Sequence, residues 1–454
     1  MAHIPLSSSG KPGSDPGNGA NYGLAMALVT SLFFLWGLAN SLNGTLIKHF
    51  QTALNLNRGQ AGFVDSAFYI GYFLMAVPAG LFMAKSGFKK GILAGLILYA
   101  LGGILFYPAA EMRSYGFFLF ALFTIACGLA FLETAANPYV TILGDPAKAA
   151  NRINFAQSFN GLSIIMGPLI GGLFIFSDKA YTNEELAAMP FAEAEAIRIH
   201  EAHSVQTPYL IIAGAVILVA LLFALTKMPE PVAESDADQP DGAGGAGALL
   251  KKRHLVLGVL AQFFYVGAQA ALWGYFVDYK MLLSPDQDLG VAIGFGKLMA
   301  ALTGGNPEMS PVQIASFHAS FALIIFMIGR FVGTALMNRY RSQDLLAVYA
   351  LACAVLLGVG MVTEGLTAVL AIMAVYFFMS IMFPTIFALA TRGLGKQMKL
   401  GASLVIMAIV GGAVIAPLTG YVSKINMQVS LLVPIACFLF VGYYAVWGSR
   451  MRSN

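Results

Sequence analysis

Charge is what this chain has least of. Of its 454 residues only 11% are Asp, Glu, Lys or Arg, against 58% hydrophobic, and the mean hydropathy is +0.75. A soluble domain carries charge on roughly a quarter of its residues, so this balance excludes a water-facing globular fold. Cysteine is scarce too. Cys127, Cys353 and Cys437 fall inside apolar stretches without metal-ligand spacing, which argues against a disulfide framework and a cysteine metal centre. They read as small packing residues. The sequence also lacks a phosphate loop, a His and acid cluster at metal spacing, and a nucleophile elbow. The reading is therefore not an enzyme, with no cofactor and no metal.

What the chain does have is apolar segments long enough to cross about 30 Å of hydrocarbon. Twelve are expected, at 23–47, 60–84, 89–109, 114–141, 152–177, 207–227, 254–279, 309–336, 344–363, 365–390, 400–422 and 428–448. Residues 1–22 are Ser, Gly and Pro rich, without the apolar core of a secretory signal, and read as a disordered tail. Residues 228–253 are rich in Pro, Gly, Ala and Asp and read as a flexible linker between an N-terminal bundle (23–227) and a C-terminal bundle (254–454). The expected fold is an all-α polytopic membrane protein, twelve transmembrane helices in two pseudo-symmetric six-helix bundles.

Retained positive charge marks the cytoplasmic side. With both termini inside, 18 of the 26 Lys and Arg face the cytoplasm; Lys48, Arg58, Arg113, Lys179, Arg198, Lys280, Lys297 and Lys424 stay outside. The net charge of +4 is thus a topology signal and implies no nucleic-acid partner. The expected location is a bacterial inner membrane, the partners membrane lipid and a small solute, the state a monomer.

The two halves echo each other. Pro138 of NPYVTIL pairs with Pro384 of FPTIFAL, Pro168 of GPLIG with Pro417 of APLTG, and Gly80 before Lys85 with Gly333 before Arg339, all at offsets near 250 residues. Duplicated six-helix units place a substrate site between two rocking halves at mid-membrane. The prolines free backbone carbonyls that a neighbour or cavity must satisfy.

One acid stands inside this apolar frame. Glu133 is the only charged residue from Ser114 to Leu143. An ionised side chain at the bilayer centre costs at least ~2.5 to 3.5 kcal/mol, so it needs a partner or a task. Burial penalises its charged form, which suits a group that takes up and releases a proton. Amides and tryptophans recur in other spans. Asn and Gln donate and accept together, and a tryptophan offers a flat apolar plate with one N–H.

The segments FLWGLANSLNG, QAGFVDSAFYIGYF, FLETAANPYVTILG, NFAQSFNG, SVQTPY, AQFFYVGAQAALWGYF and FMSIMFPTIFALA together resemble the fucose permease family, a branch of the major facilitator superfamily with hexose:proton symporters as its best-known members. The resemblance covers nearly the whole chain. It implies sugar:proton symport by alternating access. Glu133 takes the place of the family's membrane acid in the fourth helix. Gln157, Asn160, Trp36 and Trp273 match substrate-facing residues, with Asn40, Asn43, Asn137, Gln262, Tyr265 and Gln269 as their companions. Sodium is the alternative coupling ion. An efflux carrier for apolar compounds is the alternative from another class.

The departures are specific. Where the family carries an aspartate after a Leu-Asn pair in the first helix, this chain has Gly44, and where the family shows glutamine in the second, it has Asp65. Asp65 is expected to replace the lost acid in proton coupling, the alternative being an acid that only caps the start of span two near the headgroups. Counting along the helices puts it ~8 Å, and Glu133 ~29 Å, from the outer ends of their spans, so a relay through water or substrate is expected rather than a direct pair. A Gln-Tyr pair before the span-ten proline is here Met382-Phe383, which removes two hydrogen-bonding groups and points to altered sugar specificity. Ala84 takes an acidic position of the superfamily's loop between spans two and three, weakening the charge lock expected between the halves. His318 is expected to make a buried hydrogen bond, and Arg330 to snorkel toward headgroups or anchor the interdomain loop.

Overall fold

The structure is a computed structural model that describes residues 22–56, 60, 63–143, 145–170, 183–228, 246–285, 288–303 and 311–450. Every regular element among the described residues is helical, as lipid requires of a chain that must satisfy its own backbone. The N-terminal half contains α1 (Tyr22–Ala53), α2 (Phe63–Ser86), α3 (Phe88–Glu111), α4 (Tyr115–Ile142), α5 (Ala149–Ile170), α6 (Phe191–Ser204) and α7 (Gln206–Leu225). The C-terminal half contains α8 (Arg253–Leu283), α9 (Gly290–Thr303), α10 (Pro311–Leu336), α11 (Ser342–Val362), α12 (Gly365–Met379), α13 (Met382–Ala390), α14 (Met398–Met407), α15 (Gly411–Ser423) and α16 (Leu432–Tyr443). Among the described residues, eleven helical stretches are long and apolar enough to cross a membrane. The remaining expected span, 152–177, opens as α5, and its last seven residues lie outside the described ones. So do residues 1–21 of the expected tail and 229–245 of the expected linker.

Helices also occupy stretches read as loops: Asn183–Ala188 beside α6 in the outer connection, Ala246–Leu249 in the expected linker, and α9. α6 forms in the acidic connection 178–206 and buries Ala194, Glu201 and Ala202. α9 follows α8 and is held to α10 through His318, whose Nε2 accepts the Leu289 N–H at 3.0 Å while Nδ1 bonds the Ile314 carbonyl at 2.9 Å. His318 is fully buried, and both ring nitrogens are engaged.

Glycine sets how closely the helices approach. A Cβ built on Gly128 of α4 would lie 2.6 Å from the Gly95 carbonyl of α3, so these two backbones touch. Continuous burial from Thr124 to Thr141 follows from this enclosure. The far end of α4 is fixed by Arg152, whose guanidinium donates to the Val140 carbonyl at 3.1 Å, Thr141 at 2.6 Å and Asp145 at 2.6 Å, supplying partners for the terminal carbonyls. Large apolar residues such as Ile97, Leu218 and Val355 face outward, a surface made for lipid rather than water.

The halves meet at the end where Lys and Arg cluster. Gly80 of α2 packs on Ser403 of α14, Lys399 lies 4.8 Å from the Phe88 ring centroid, and Asn151 Nδ2 donates to the Thr334 carbonyl at 2.8 Å and to Asn338 Oδ1 at 3.2 Å. Asn154 Nδ2 adds a bond to Thr385 Oγ1 at 3.2 Å. Close packing and neutral hydrogen bonds therefore stand where Ala84 removes an acid.

Pro384 breaks the expected span ten into α12 and α13. It has no N–H to offer the Ser380 carbonyl one turn earlier. That carbonyl takes a hydrogen bond from Arg330 Nε at 2.9 Å, and the neighbouring Met379 carbonyl takes one from the Tyr265 hydroxyl at 3.0 Å.

Gly128→Val forces α3 and α4 apart, at a cost in or above the overpacking range of about 1–3 kcal/mol. Thermal unfolding in detergent is expected to show a clear loss. Gly214→Val, where a Cβ meets nothing within 4 Å, is expected to unfold as the parent does.

Candidate functional site

Between the halves lies a cavity of about 470 Å³, within the usual range of small-molecule sites. Its two walls differ in chemistry. The N-terminal half contributes Trp36, Asn40, Ser41, Asp65, Tyr69, Tyr72, Glu133, Gln157 and Asn160. The C-terminal half contributes Val266, Gln269, Trp273, Leu323, Phe326, Arg330, Tyr376, Phe383 and Ile409. One wall is hydrogen-bonding and the other largely apolar. A larger depression of about 900 Å³, lined by Leu283, Glu364, Asn426 and others at helix ends, includes none of the predicted residues.

At the polar wall Glu133 is 4% exposed, and its Oε1 accepts a 2.6 Å hydrogen bond from the Tyr72 hydroxyl. Asn40 of α1 lines the same cavity, so three helices converge around the acid. Asp65, Tyr69 and Tyr72 recur at i, i+4 and i+7 along α2, the spacing that puts side chains on one helix face. Asp65 is exposed at the cavity, in the first turn of α2.

The amides are held from behind. Gln157 Nε2 donates to Asn137 Oδ1 at 3.3 Å, and Asn160 Nδ2 donates to the Phe33 carbonyl at 3.2 Å. Gly37 makes room for this, since a Cβ there would lie 2.6 Å from Asn160 Nδ2. Trp36 packs on Phe33 with centroids 4.2 Å apart, and across the cavity Trp273 meets the edge of Phe326 at 5.6 Å. The indole Nε1 of Trp273 has no partner among the described residues.

Of the predicted residues, Glu133, Asp65, Trp36, Asn40, Gln157, Asn160, Gln269 and Trp273 share this cavity. Asn43 belongs to side chains outside the described ones. Three lie behind the wall instead. Asn137 and Gln262 are fully buried, the first supporting Gln157 and the second with both amide atoms unpartnered among the described residues. Tyr265 is spent on the Met379 carbonyl at the break in span ten. The pair at that break divides as well: Met382 is buried in the core and Phe383 lines the cavity. Arg330 corrects an expectation outright. It does not reach for headgroups; it is 4% exposed in the cavity wall, because the carbonyl orphaned by Pro384 demands a donor there. Tyr69, Tyr72 and Phe326 were missed altogether, although the i, i+4, i+7 spacing from Asp65 was a readable signal for the two tyrosines.

Residues 29–417 match the Major Facilitator Superfamily. The chain belongs to that superfamily. It is 39% identical to the L-fucose-proton symporter of Escherichia coli strain K12 over 445 residues, 97% of this chain and 96% of that one. It is 36% identical to a glucose/galactose transporter of Brucella abortus over 431 residues, 95% of each. A crystal structure of a superfamily transporter in the outward conformation superposes with a TM-score of 0.81 at 39% identity, covering 95% of this chain and 100% of the other. A proton:xylose symporter, at 13% identity and a TM-score of 0.66, shares the fold.

Wall residues and supporting residues separate by experiment. Tyr265→Phe orphans the Met379 carbonyl at a cost of about 1–3 kcal/mol, so thermal stability is expected to fall while ligand affinity holds. Gln269→Ala is expected to do the reverse, raising KM several-fold with unfolding unchanged.

Proposed function

We propose that this chain is a secondary active sugar transporter that moves a hexose or related sugar together with a proton by alternating access. The observation that carries the reading is the placement of Glu133: a buried carboxyl at the wall of an interdomain cavity, beside amides and tryptophans suited to a sugar. The relatives support it, being named for L-fucose with proton and for glucose and galactose. The coupling group is Glu133, with Asp65 as an outer ionisable site in place of the acid missing at Gly44. Trp36, Asn40, Gln157, Asn160, Gln269 and Trp273 hold the sugar, the amides on its hydroxyls and the indoles on its ring face.

The protein works without a cofactor and catalyses no bond change. It resides in a bacterial inner membrane as a monomer with both termini cytoplasmic, so the closed end of the bundle is the inner one and sugar enters from outside. The two bundles rock about the cavity. Sodium is the second reading of the coupling ion, favoured by the carboxylate and amide oxygens gathered near Glu133.

Purified protein in liposomes, given labelled L-fucose, glucose and galactose under a pH gradient and then a sodium gradient, decides sugar and ion together. Accumulation under the pH gradient is expected. Glu133→Gln, whose amide imitates the protonated acid, is expected to abolish accumulation while sugar exchange persists; undiminished accumulation in that variant refutes coupling through Glu133. Asp65→Asn is expected to lower accumulation severalfold, and parental uptake there removes Asp65 from the mechanism.

A further inference from the structure

Arg330 is the one cation among the residues that line the cavity. It lies in α10, 4% exposed, with its guanidinium carbon 4.7 Å from the Phe326 ring centroid. Two of its three nitrogens are committed, and to opposite halves of the protein. Nε donates to the Ser380 carbonyl of the C-terminal half at 2.9 Å, and Nη1 donates to the Gln157 carbonyl of the N-terminal half at 2.6 Å. The third nitrogen, Nη2, has no acceptor among the described residues, although the side chain lines the cavity.

Each commitment has a distinct physical origin. The bond to Ser380 answers a local need, since Pro384 leaves that carbonyl without its helical donor. The bond to Gln157 answers none of that kind. Gln157 lies inside α5, and its carbonyl can accept Arg330 only through its second lone pair. Approach is close here: a Cβ on Gly161, one turn along α5, would lie 2.1 Å from Met327 Sδ of α10 and 3.6 Å from Arg330 Nη1. A planar guanidinium holds the two carbonyls from separate nitrogens in a fixed fork and still aims its third nitrogen at a ligand, whereas the three donors of an ammonium radiate from a single atom.

We propose that Arg330 is the residue through which cargo acts on the seam between the halves: Nη2 donates to a sugar oxygen, and the Nη1 bond to Gln157, made while the inner end is closed, is given up when the halves separate there. This rests on the sugar-transport reading above. It adds a cargo contact from the mainly apolar wall and a reason for cargo to alter the seam, because a ligand pulling on one side of the fork reorients the donor on the other. Differential contact of this kind is what a ligand must have to shift a conformational equilibrium.

The test separates this role from the structural one. Thr385, buried at the seam under Asn154, becomes a reporter as Thr385→Cys in a background without Cys127, Cys353 and Cys437. In that protein, thiol labelling is expected to be slow and to quicken when L-fucose, glucose or galactose is added, whichever is carried. Arg330→Gln is expected to label several-fold faster without sugar, to lose the response to sugar, and to raise the KM of sugar exchange about 10-fold or more, as loss of a charged hydrogen bond does. Arg330→Lys keeps the charge and loses the fork, and is expected to behave like the Gln variant. Pro384→Ala then restores an N–H for Ser380 and removes the structural demand on Arg330. In the Pro384→Ala, Arg330→Gln protein folding is expected to recover while KM and the labelling response remain impaired. Recovery of both, or an Arg330→Gln protein with parental labelling and KM, overturns the proposal. If the parent carries no sugar at all, the transport reading fails by itself, and labelling without sugar still judges Arg330 as a seam contact.

Discussion

A carboxyl group enclosed by protein, inside a protein enclosed by lipid, is the constraint to which the rest of this molecule answers. Glu133 is reached by the Tyr72 hydroxyl, so the acid is oriented by a helix besides its own. Holding it there takes a helix buried on nearly every face, and that in turn takes the glycine contact between α3 and α4 and the Arg152 clasp on the end of α4. These features lie far apart in sequence and converge on the placement of one side chain.

The second theme is how a membrane protein breaks a helix without exposing backbone. Span ten is interrupted by Pro384, and both neighbouring carbonyls are rescued by side chains from other helices, Arg330 and Tyr265. In hydrocarbon an unsatisfied peptide group costs several kcal/mol, so such partners are obligatory. Breaks of this sort recruit buried polar residues, and recruited residues are then available for other work. Arg330 lies at one such break, at the cavity, and at the boundary between the halves.

Much of the architecture was legible because lipid writes a strong signal. Apolar length marked the spans, and a lone acid in one of them, Glu133, marked a residue that lies at the cavity wall. Family resemblance then supplied the amides and tryptophans. What was not legible depended on tertiary placement. Tyr265 and Gln262 stand on the same helix as Trp273 and Gln269, and composition gives no means of telling the face that meets the cavity from the face that meets α12. Arg330 read as a terminal snorkelling residue because spacing along the chain says nothing of an orphaned carbonyl fifty residues away. Conversely, α6 and α9 were hidden in stretches that look like loops, since α6 is polar and both are too short to cross a bilayer.

The unlike walls of the cavity have a consequence for how a solute leaves. A pyranose seated in the cavity would meet most of its hydrogen-bonding groups on the N-terminal side, at Asn40, Gln157 and Asn160, and on the C-terminal side mainly Phe326, Phe383 and Ile409, with Gln269 and Arg330 as the polar exceptions. When the halves part, the C-terminal wall has fewer polar holds to break, Gln269 and Arg330 among them, and it acts as a lid over the solute. A glycoside whose bulky aryl group projects toward that lid would dock normally and yet stop it from closing, turning a passenger into a wedge.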